Sequence, residues 1–466
     1  FSYQQGFVSG TNLMVGFNNT HQTTNVPFTT FTPLLNSNFR AQITQNLLQG
    51  WGFLPNKRFI TFAKNNREIT DVAFRLQVIT TVDQIENIYW NLVYAYQNVK
   101  VQQDALEFAQ KTLSDTKKQV DIGTLAPIQV VGAQSTVATD QQALTVAQTN
   151  LELQQLLMKN ALSRTLVDPR LADAEVIPTS TMQLPAQETV VPTQDLVNDA
   201  LSHRAELAES RIDLSNREIN NKAVRNAQLP TLDLFAYYGG SGIGGDINPC
   251  AVATAPTTAC PNPGGTFGSV VLPPPFANGG PVGYGSTLNQ LVDSSATDKG
   301  IGLTLNIPLR NRVAQANQVR AELEFRQAQM RLQQLENQVR IEVRNAQFSV
   351  QQNRASVDSA QAAAEFAHQT LDAEQKKLAL GASTTTAVLQ NQSAFTTSES
   401  NLVSAMAAYE KSKVELDRAT GLLLENAGIV LDDAVRGQVS RLPNIPYVQP
   451  SQDVRSVMPT TQQQPQ

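Results

Sequence analysis

Glu107-Phe-Ala-Gln-Lys-Thr-Leu113 recurs as Glu365-Phe-Ala-His-Gln-Thr-Leu371, identical at five of its seven positions. The same spacing places Lys118 on Lys376, Gly123 on Gly381, Val130 on Val388, and Gln134-Ser135 on Gln392-Ser393. A repeat this long is no solenoid period, and helical composition alone would not align its turns. The chain consists of two similar halves, and its function must be one that a doubled unit can build.

Each half is dominated by a helical hairpin. From Asn56 to Ile122 there is neither Gly nor Pro, a run that as one helix would extend about 100 Å at 1.5 Å per residue. Asp121-Ile-Gly-Thr-Leu-Ala-Pro127 interrupts it, and a second breaker-free run covers Ala133 to Asp168. In the second half the long run is Leu309 to Leu380, the turn is Leu380-Gly-Ala-Ser-Thr-Thr385, and a shorter helix reaches Thr420 before Gly421.

Strands precede the helices. Thr11, Leu13, Val15 and Phe17 alternate imperfectly within residues 1–17, and Phe39, Ala41 and Ile43 alternate with Arg40, Gln42 and Thr44. Leu232, Leu234, Ala236 and Tyr238 form one face of a third strand, and Ile301, Leu303, Leu305, Ile307 and Leu309 give the cleanest alternation in the chain. Period two with one apolar face is the mark of a half-covered strand.

The expected class is therefore α+β: two internal repeats, each a pair of strands and a long antiparallel helical hairpin. The boundaries read from the sequence are residues 1–54 for two strands and their loop, and 55–168 for the first hairpin. A proline-rich linker takes 169–192, followed by a helix over 193–228 that Thr193 caps. Two strands with a long Gly/Pro/Ser loop at 239–298 fill 229–309, and the second hairpin fills 310–420. The remainder, 421–466, ends in a Pro/Gln-rich tail expected to be disordered. Because only the second strand pair has a helix before it, the numbering is expected to begin inside a parent protein whose leader and matching helix lie upstream.

Four strands cannot close a barrel alone, and an open sheet leaves two unpaired edges. An alternating apolar face with no helix over it must meet another sheet or lipid, and in lipid only closed barrels satisfy the backbone. Three copies giving four strands each would make twelve, an even count of the kind outer-membrane barrels use. The apolar seam at Val319, Leu323, Met330, Leu335, Val339 and Ile341 is narrow and interleaved with Gln, Arg and Glu. It suits helix-on-helix packing with one face left wet.

Composition excludes several classes. Charged residues are 16% of the chain and the net charge is −5, with no basic cluster of the kind a nucleic-acid footprint needs. No apolar run approaches the roughly 18 residues of a membrane-spanning helix. His21, His203 and His368 are scattered, and no nucleophile motif, metal cluster or phosphate loop is present, so neither an enzyme nor a cofactor is expected. Gly239-Gly-Ser-Gly-Ile-Gly-Gly245 superficially matches a dinucleotide fingerprint but lacks the following helix. Cys250 and Cys260 can close a small disulfide in an oxidising compartment or remain two free thiols. Phe1, Tyr3, Phe39, Trp51, Phe53, Tyr237 and Tyr238 flank the strands and are candidates for interfacial girdles.

The doubled unit resembles the TolC-type outer-membrane channel family over essentially the whole chain. Gln45-Asn-Leu-Leu-Gln-Gly50, Val224-Arg-Asn-Ala-Gln-Leu-Pro230, Leu305-Asn-Ile-Pro-Leu309, both glycine turns and Leu416-Asp-Arg-Ala-Thr-Gly421 carry the resemblance. It implies a homotrimer with a twelve-stranded β-barrel in the outer membrane and an α-helical barrel in the periplasm. It also implies docking to a periplasmic adaptor and to an inner-membrane pump, either a proton-driven (RND) transporter or an ABC exporter. By resemblance, Gly123, Thr124, Leu125, Gly381, Ala382 and Ser383 form the adaptor-facing tip. Relatives ring their closed pore with aspartates. The matching positions here are Gln129, Ala387 and Gln390, none acidic, so a constriction at this tip would be polar or steric. The competing reading is a soluble periplasmic coiled-coil scaffold or adaptor without a pore.

Overall fold

The computed structural model describes residues 1–24, 26, 29–163, 174–180, 182, 184, 191–261, 263, 276, 280–293 and 296–437. The expected C-terminal tail and much of the linker at 169–192 lie outside these residues. The chain divides into two compact units, Phe1–Thr70 with Glu209–Gln334, and Asp71–Ala208 with Leu335–Gln466.

The first unit holds one antiparallel sheet in chain order: β1 (Ser2–Gly6), β2 (Thr11–Gln22), β3 (Phe31–Asn46), β4 (Thr231–Ile247) and β5 (Thr297–Asn306). β2 to β5 are the four strands the alternation predicts. β1 is an addition: residues 1–17 are not one imperfect strand but a hairpin, turned where Phe7 N donates to the Thr11 carbonyl and Gly10 N to that of Phe7. The break in alternation at Val8-Ser9-Gly10 is this turn.

α1 is Phe53–Asp121, 69 residues without a break. Its only proline after Phe53 is Pro55, in the first turn, where a missing N–H costs nothing. Gly50 and Gly52 take φ of +81° and +90° to turn the chain out of β3. Asn56 Nδ2 donates to the carbonyls of both, at 2.8 Å each.

α2 follows (Ile128–Leu162), then α3 (Thr193–His203) and α4 (Ala205–Asn226). The single helix expected over 193–228 is thus two. Pro192, not Thr193, occupies the capping position, while Thr193 Oγ1 donates to Gln347 Oε1 at 2.7 Å. Arg204 is extended (φ −68°, ψ 127°). The break has a tertiary cause: Arg204 is buried and paired to Glu206 and Glu342, and Gly421, in the left-handed region, approaches its backbone. A Cβ on Gly421 would lie 3.3 Å from Arg204 N.

The segment 239–298 is also more ordered than a loop. β4 continues to Ile247, a turn of helix α5 covers Pro249–Val252, and α6 covers Tyr284–Val292. α7 (Arg312–Ala379) and α8 (Thr385–Thr420) form the second hairpin, with short helices α9 (Leu423–Asn426) and α10 (Leu431–Arg436) behind it.

The second unit's core is a series of helix seams. Val99 and Leu106, one heptad apart on α1, meet Leu144 and Ala147 of α2. Val93 and Val101 of the same helix meet Val403 and Ala407 of α8. Val350 and Val357 of α7 close on Tyr409, also of α8. Each contact is two or three side chains wide, so large parts of every helix remain exposed. No helix among the described residues is long and apolar enough to cross a membrane.

Candidate functional site: a two-faced sheet and a doubled helical tip

Antiparallel register puts whole rungs of like character on each face of the sheet. Leu13, Ile43, Ala236 and Ile301 stand side by side across four strands, and the next rung toward the helices is Thr11, Gln45, Leu234 and Leu303. Apart from the Thr11–Gln45 pair, this face is apolar next to the helices and bare along β5: Ile301 is 76% exposed, Leu303 64% and Leu305 57%. At its far end α6 covers it over Gly240, Gly242 and Gly244. At about 25 cal/mol per Å² of apolar surface, such a face left in water would forfeit several kcal/mol.

The opposite face is polar. Its rungs run Asn12–Thr44–Phe235–Gly302 and Gly16–Arg40–Gly239–Asp298. The Arg40 guanidinium lies 4.2 Å from the Tyr237 ring centre, and Tyr237 stacks on Phe235 at 6.4 Å. These rings rest on glycines: a Cβ at Gly300 would come within 2.9 Å of Tyr237, and one at Gly302 within 2.7 Å of Phe235. Tyr237 therefore does not belong to an outward girdle with its neighbour Tyr238, because adjacent strand residues point opposite ways. Tyr3, Phe39 and Tyr238 do share the apolar face.

The Gly239–Gly245 run has a packing role. Gly240, Gly242 and Gly244 let α6 lie directly on β4, and a Cβ on Gly242 would sit 2.1 Å from the Thr287 carbonyl oxygen. Gln290 exchanges two hydrogen bonds with the Ile243 backbone, each 3.0 Å, covering the β4 edge beyond the end of β5. Cys250 and Cys260 are joined, with Cα atoms 5.1 Å apart.

In the second unit the two glycine turns form the tip of each hairpin. Gly123 (φ +79°) and Gly381 (φ +74°) adopt the left-handed conformation that ends a helix. Thr124 N donates to the Gln119 carbonyl at 2.9 Å, and Ala382 N to that of Lys377 at 2.9 Å, so both ends use the same closing bond. Thr384 then caps α8, its hydroxyl accepting from Ala387 N at 3.2 Å. Lys118, Lys376 and Lys377 sit in the last turns and pair with carboxylates of their own helices. Glu374, bonded by Ser383 and then by Lys377, is held below the usual carboxylate range.

The side-chain oxygen of Gln129, matched to a pore position, accepts from Thr385 Oγ1 and Thr386 Oγ1, 3.0 Å each, tying the start of α2 to that of α8. Its repeat partner Ala387 lies in the first turn of α8, and Gln390 is exposed. Behind the tip, Gly132, Ser135, Thr139 and Asp140 face Thr386, Gln390 and Ser393 across a groove of about 250 Å³. Burial raises the Asp140 carboxyl. Sequence reasoning missed the apolar residues beside the glycines. Ile122 is 74% exposed and Leu380 85%, a signal available only as apolar residues placed at a turn.

Farther along the same unit, carboxylates crowd between α1 and α8. Desolvation raises Asp83, Glu86 and Asp417; at Glu86 the charges of Asp417 and Asp83 add to it. Arg418 offsets part of the shift at Asp83 and Lys413 part of that at Asp417, whereas Arg204 serves a separate pair of carboxylates. Its own desolvation is outweighed by hydrogen bonds to Glu206 and Glu342, and both carboxyls are lowered despite theirs.

A doubled helical hairpin joined to an antiparallel sheet with one apolar and one polar face is the architecture of a channel-type outer-membrane protein. The profile of the outer membrane efflux protein family matches residues 13–164 and 196–422. The chain belongs to that family, a family of outer-membrane channels that extend into the periplasm. No curated protein matches it by sequence.

Solved structures share its fold at low identity. VceC of Vibrio cholerae is 16% identical, covering 89% of this chain and 87% of its own, with a TM-score of 0.62. The CmeC outer membrane channel of Campylobacter jejuni is 15% identical over 93% and 82%, at 0.61. The open state of the MtrE outer membrane channel of Neisseria gonorrhoeae is 14% identical over 88% and 80%, at 0.59.

Proposed function

We propose that this chain is the passive exit duct of a tripartite efflux or type I secretion system. Three copies close one β-barrel in the outer membrane and one helical barrel in the periplasm, and an inner-membrane pump with a periplasmic adaptor delivers the substrate. The observation that carries this reading is the two-faced sheet: toward the helices its apolar face is bare in the single chain, along Ile301, Leu303 and Leu305, while its other face is mostly polar. Lipid on one side and a water-filled lumen on the other satisfy both. A soluble coiled-coil scaffold has no use for such a face.

The exposed turn residues support adaptor docking. Gly123, Thr124, Leu125, Gly381, Ala382 and Ser383 present backbone at the tip, and Ile122 and Leu380 add an apolar surface that a helical partner can bury. With Gln129 bonded to Thr385 and Thr386, constriction by Ala387 and Gln390 would be neutral. The reading is tested by mild cross-linking in cells followed by identification of co-purified proteins. An adaptor and an RND or ABC transporter are expected; a water-soluble rod that purifies without detergent and captures neither would contradict it.

A further inference from the structure

The polar face of the sheet runs into a cavity of about 640 Å³ where the strands meet the helices. Thr231 and Asn306, paired across β4 and β5, continue that face two residues beyond Asp233–Thr304 and line the cavity. Five amide side chains form much of its wall: Gln49, Asn220, Asn306, Asn311 and Asn317. Hydrogen bonds beside it tie its elements together. Gly50 N donates to Asn226 Oδ1 at 2.7 Å, joining the end of β3 to α4, and Gln318 Nε2 donates to Asn221 Oδ1 at 2.7 Å, joining α7 to α4.

The charges around this cavity do not balance. Its charged lining residues are Arg58, Arg320 and Glu324. Glu324 is already taken: Arg320 Nε donates to it at 3.0 Å and Arg217 Nη1 at 3.3 Å. Arg58, in the second turn of α1, pairs with no carboxylate among the described residues, and its Nε is buried without an acceptor. A buried donor left unmet is rare in a folded protein and calls for a cause. The Phe59 ring lies 4.5 Å from the Arg58 Cζ, so one face of the guanidinium is covered and its N–H edge is what remains to bond. Asn311, Val313 and Ala314, at the start of α7, also line the cavity, and the first turn of that helix holds no acidic residue. Its end adds further uncompensated positive potential.

We infer that this cavity is an oxyanion site, in which Arg58 turns its N–H edge onto the carboxylate or phosphate of a solute. An arginine fork matches two oxygens of one such group, and amides, which both donate and accept, suit the polar remainder of the molecule. Binding needs only this one unit of the chain. That such sites ring the water path and hold anionic cargo on its way out rests on the exit-duct reading above.

Phenylglyoxal modification tests this on the detergent-purified full chain, each arginine being read by peptide mass spectrometry. The reagent attacks a free guanidinium and is kept off by a bound oxyanion. The probe is sodium sulfate, compared with sodium chloride at equal ionic strength. Sulfate should slow modification of Arg58 at least about threefold, the protection mass action gives once the anion exceeds about twice its dissociation constant. Arg340, paired within its own helix, should react equally in both salts. Equal rates at Arg58 in the two salts would overturn the proposal, as would an Arg58 that reacts in neither, because the guanidinium would then be closed to solutes. In planar bilayers, sulfate should lower the wild-type conductance and leave that of Arg58→Gln unaffected; equal block of both would place the anion elsewhere and also overturn it. Protection of Arg58 in a protein that forms no channel would uphold the site and contradict the exit-duct reading instead.

Discussion

Gly381 shows how one backbone angle can separate a structural role from a docking role. A Cβ there would meet nothing within 4 Å, so Gly381→Val pays only for its φ of +74°, about 1–2 kcal/mol. Trimer yield should persist while capture of the adaptor falls; equal losses of both would make the turn merely structural. Glu86 offers a test through pH. Its folded pKa is raised, by desolvation first and then by Asp417 and Asp83. Its favourable contribution is therefore complete below the unfolded value and disappears as pH rises through the folded one. At neutral pH the charged form costs stability, so Glu86→Gln should raise Tm by about 1–3 °C at pH 7.5, and the gain should fade as pH falls below the carboxylate range. A Tm difference independent of pH would show that charge is not the cause.

At the level of elements, the chain's periodicities carried most of the information. Strands β2 to β5 were legible because alternation needs only local sequence, and the long helices because nothing in them breaks one. β1 was missed because Phe1–Gly6 runs into Thr11–Phe17 without an obvious stop, although Ser9-Gly10 is a turn signal. The break at Arg204 left no local trace, having neither Gly nor Pro. It comes from a buried ion pair with a residue far along the chain and from the close approach of Gly421. Gln129 was assigned to the pore by its repeat position, whereas its hydrogen bonds depend on Thr385 and Thr386, which the repeat does not place. The glycine run at 239–245 lacks the following helix of a cofactor loop, and the helix it does receive, Tyr284–Val292, lies far along the chain. Gly242→Val should eject α6, since its Cβ would fall 2.1 Å from Thr287 O and overpacking of this kind costs about 1–3 kcal/mol. Proteolytic cleavage within residues 280–293 should quicken severalfold with conductance retained; unchanged cleavage would mean the contact is not what holds the helix.

For the assembled molecule, the neutral tip makes a specific electrical prediction. Ala387 sits in the first turn of α8, where a carboxylate is favoured by the helix dipole, and Gln390 is exposed, so aspartates at both should fold. The double substitution A387D/Q390D should move the reversal potential toward cation preference; no movement would place those side chains away from the aqueous path. The account as a whole stands on copies sharing sheet edges to enclose water. Single-channel recording of the purified wild-type protein in a planar lipid bilayer tests that directly: discrete conductance steps from a detergent-extracted trimer are the predicted result, and a monomer that folds without detergent and passes no current would contradict it.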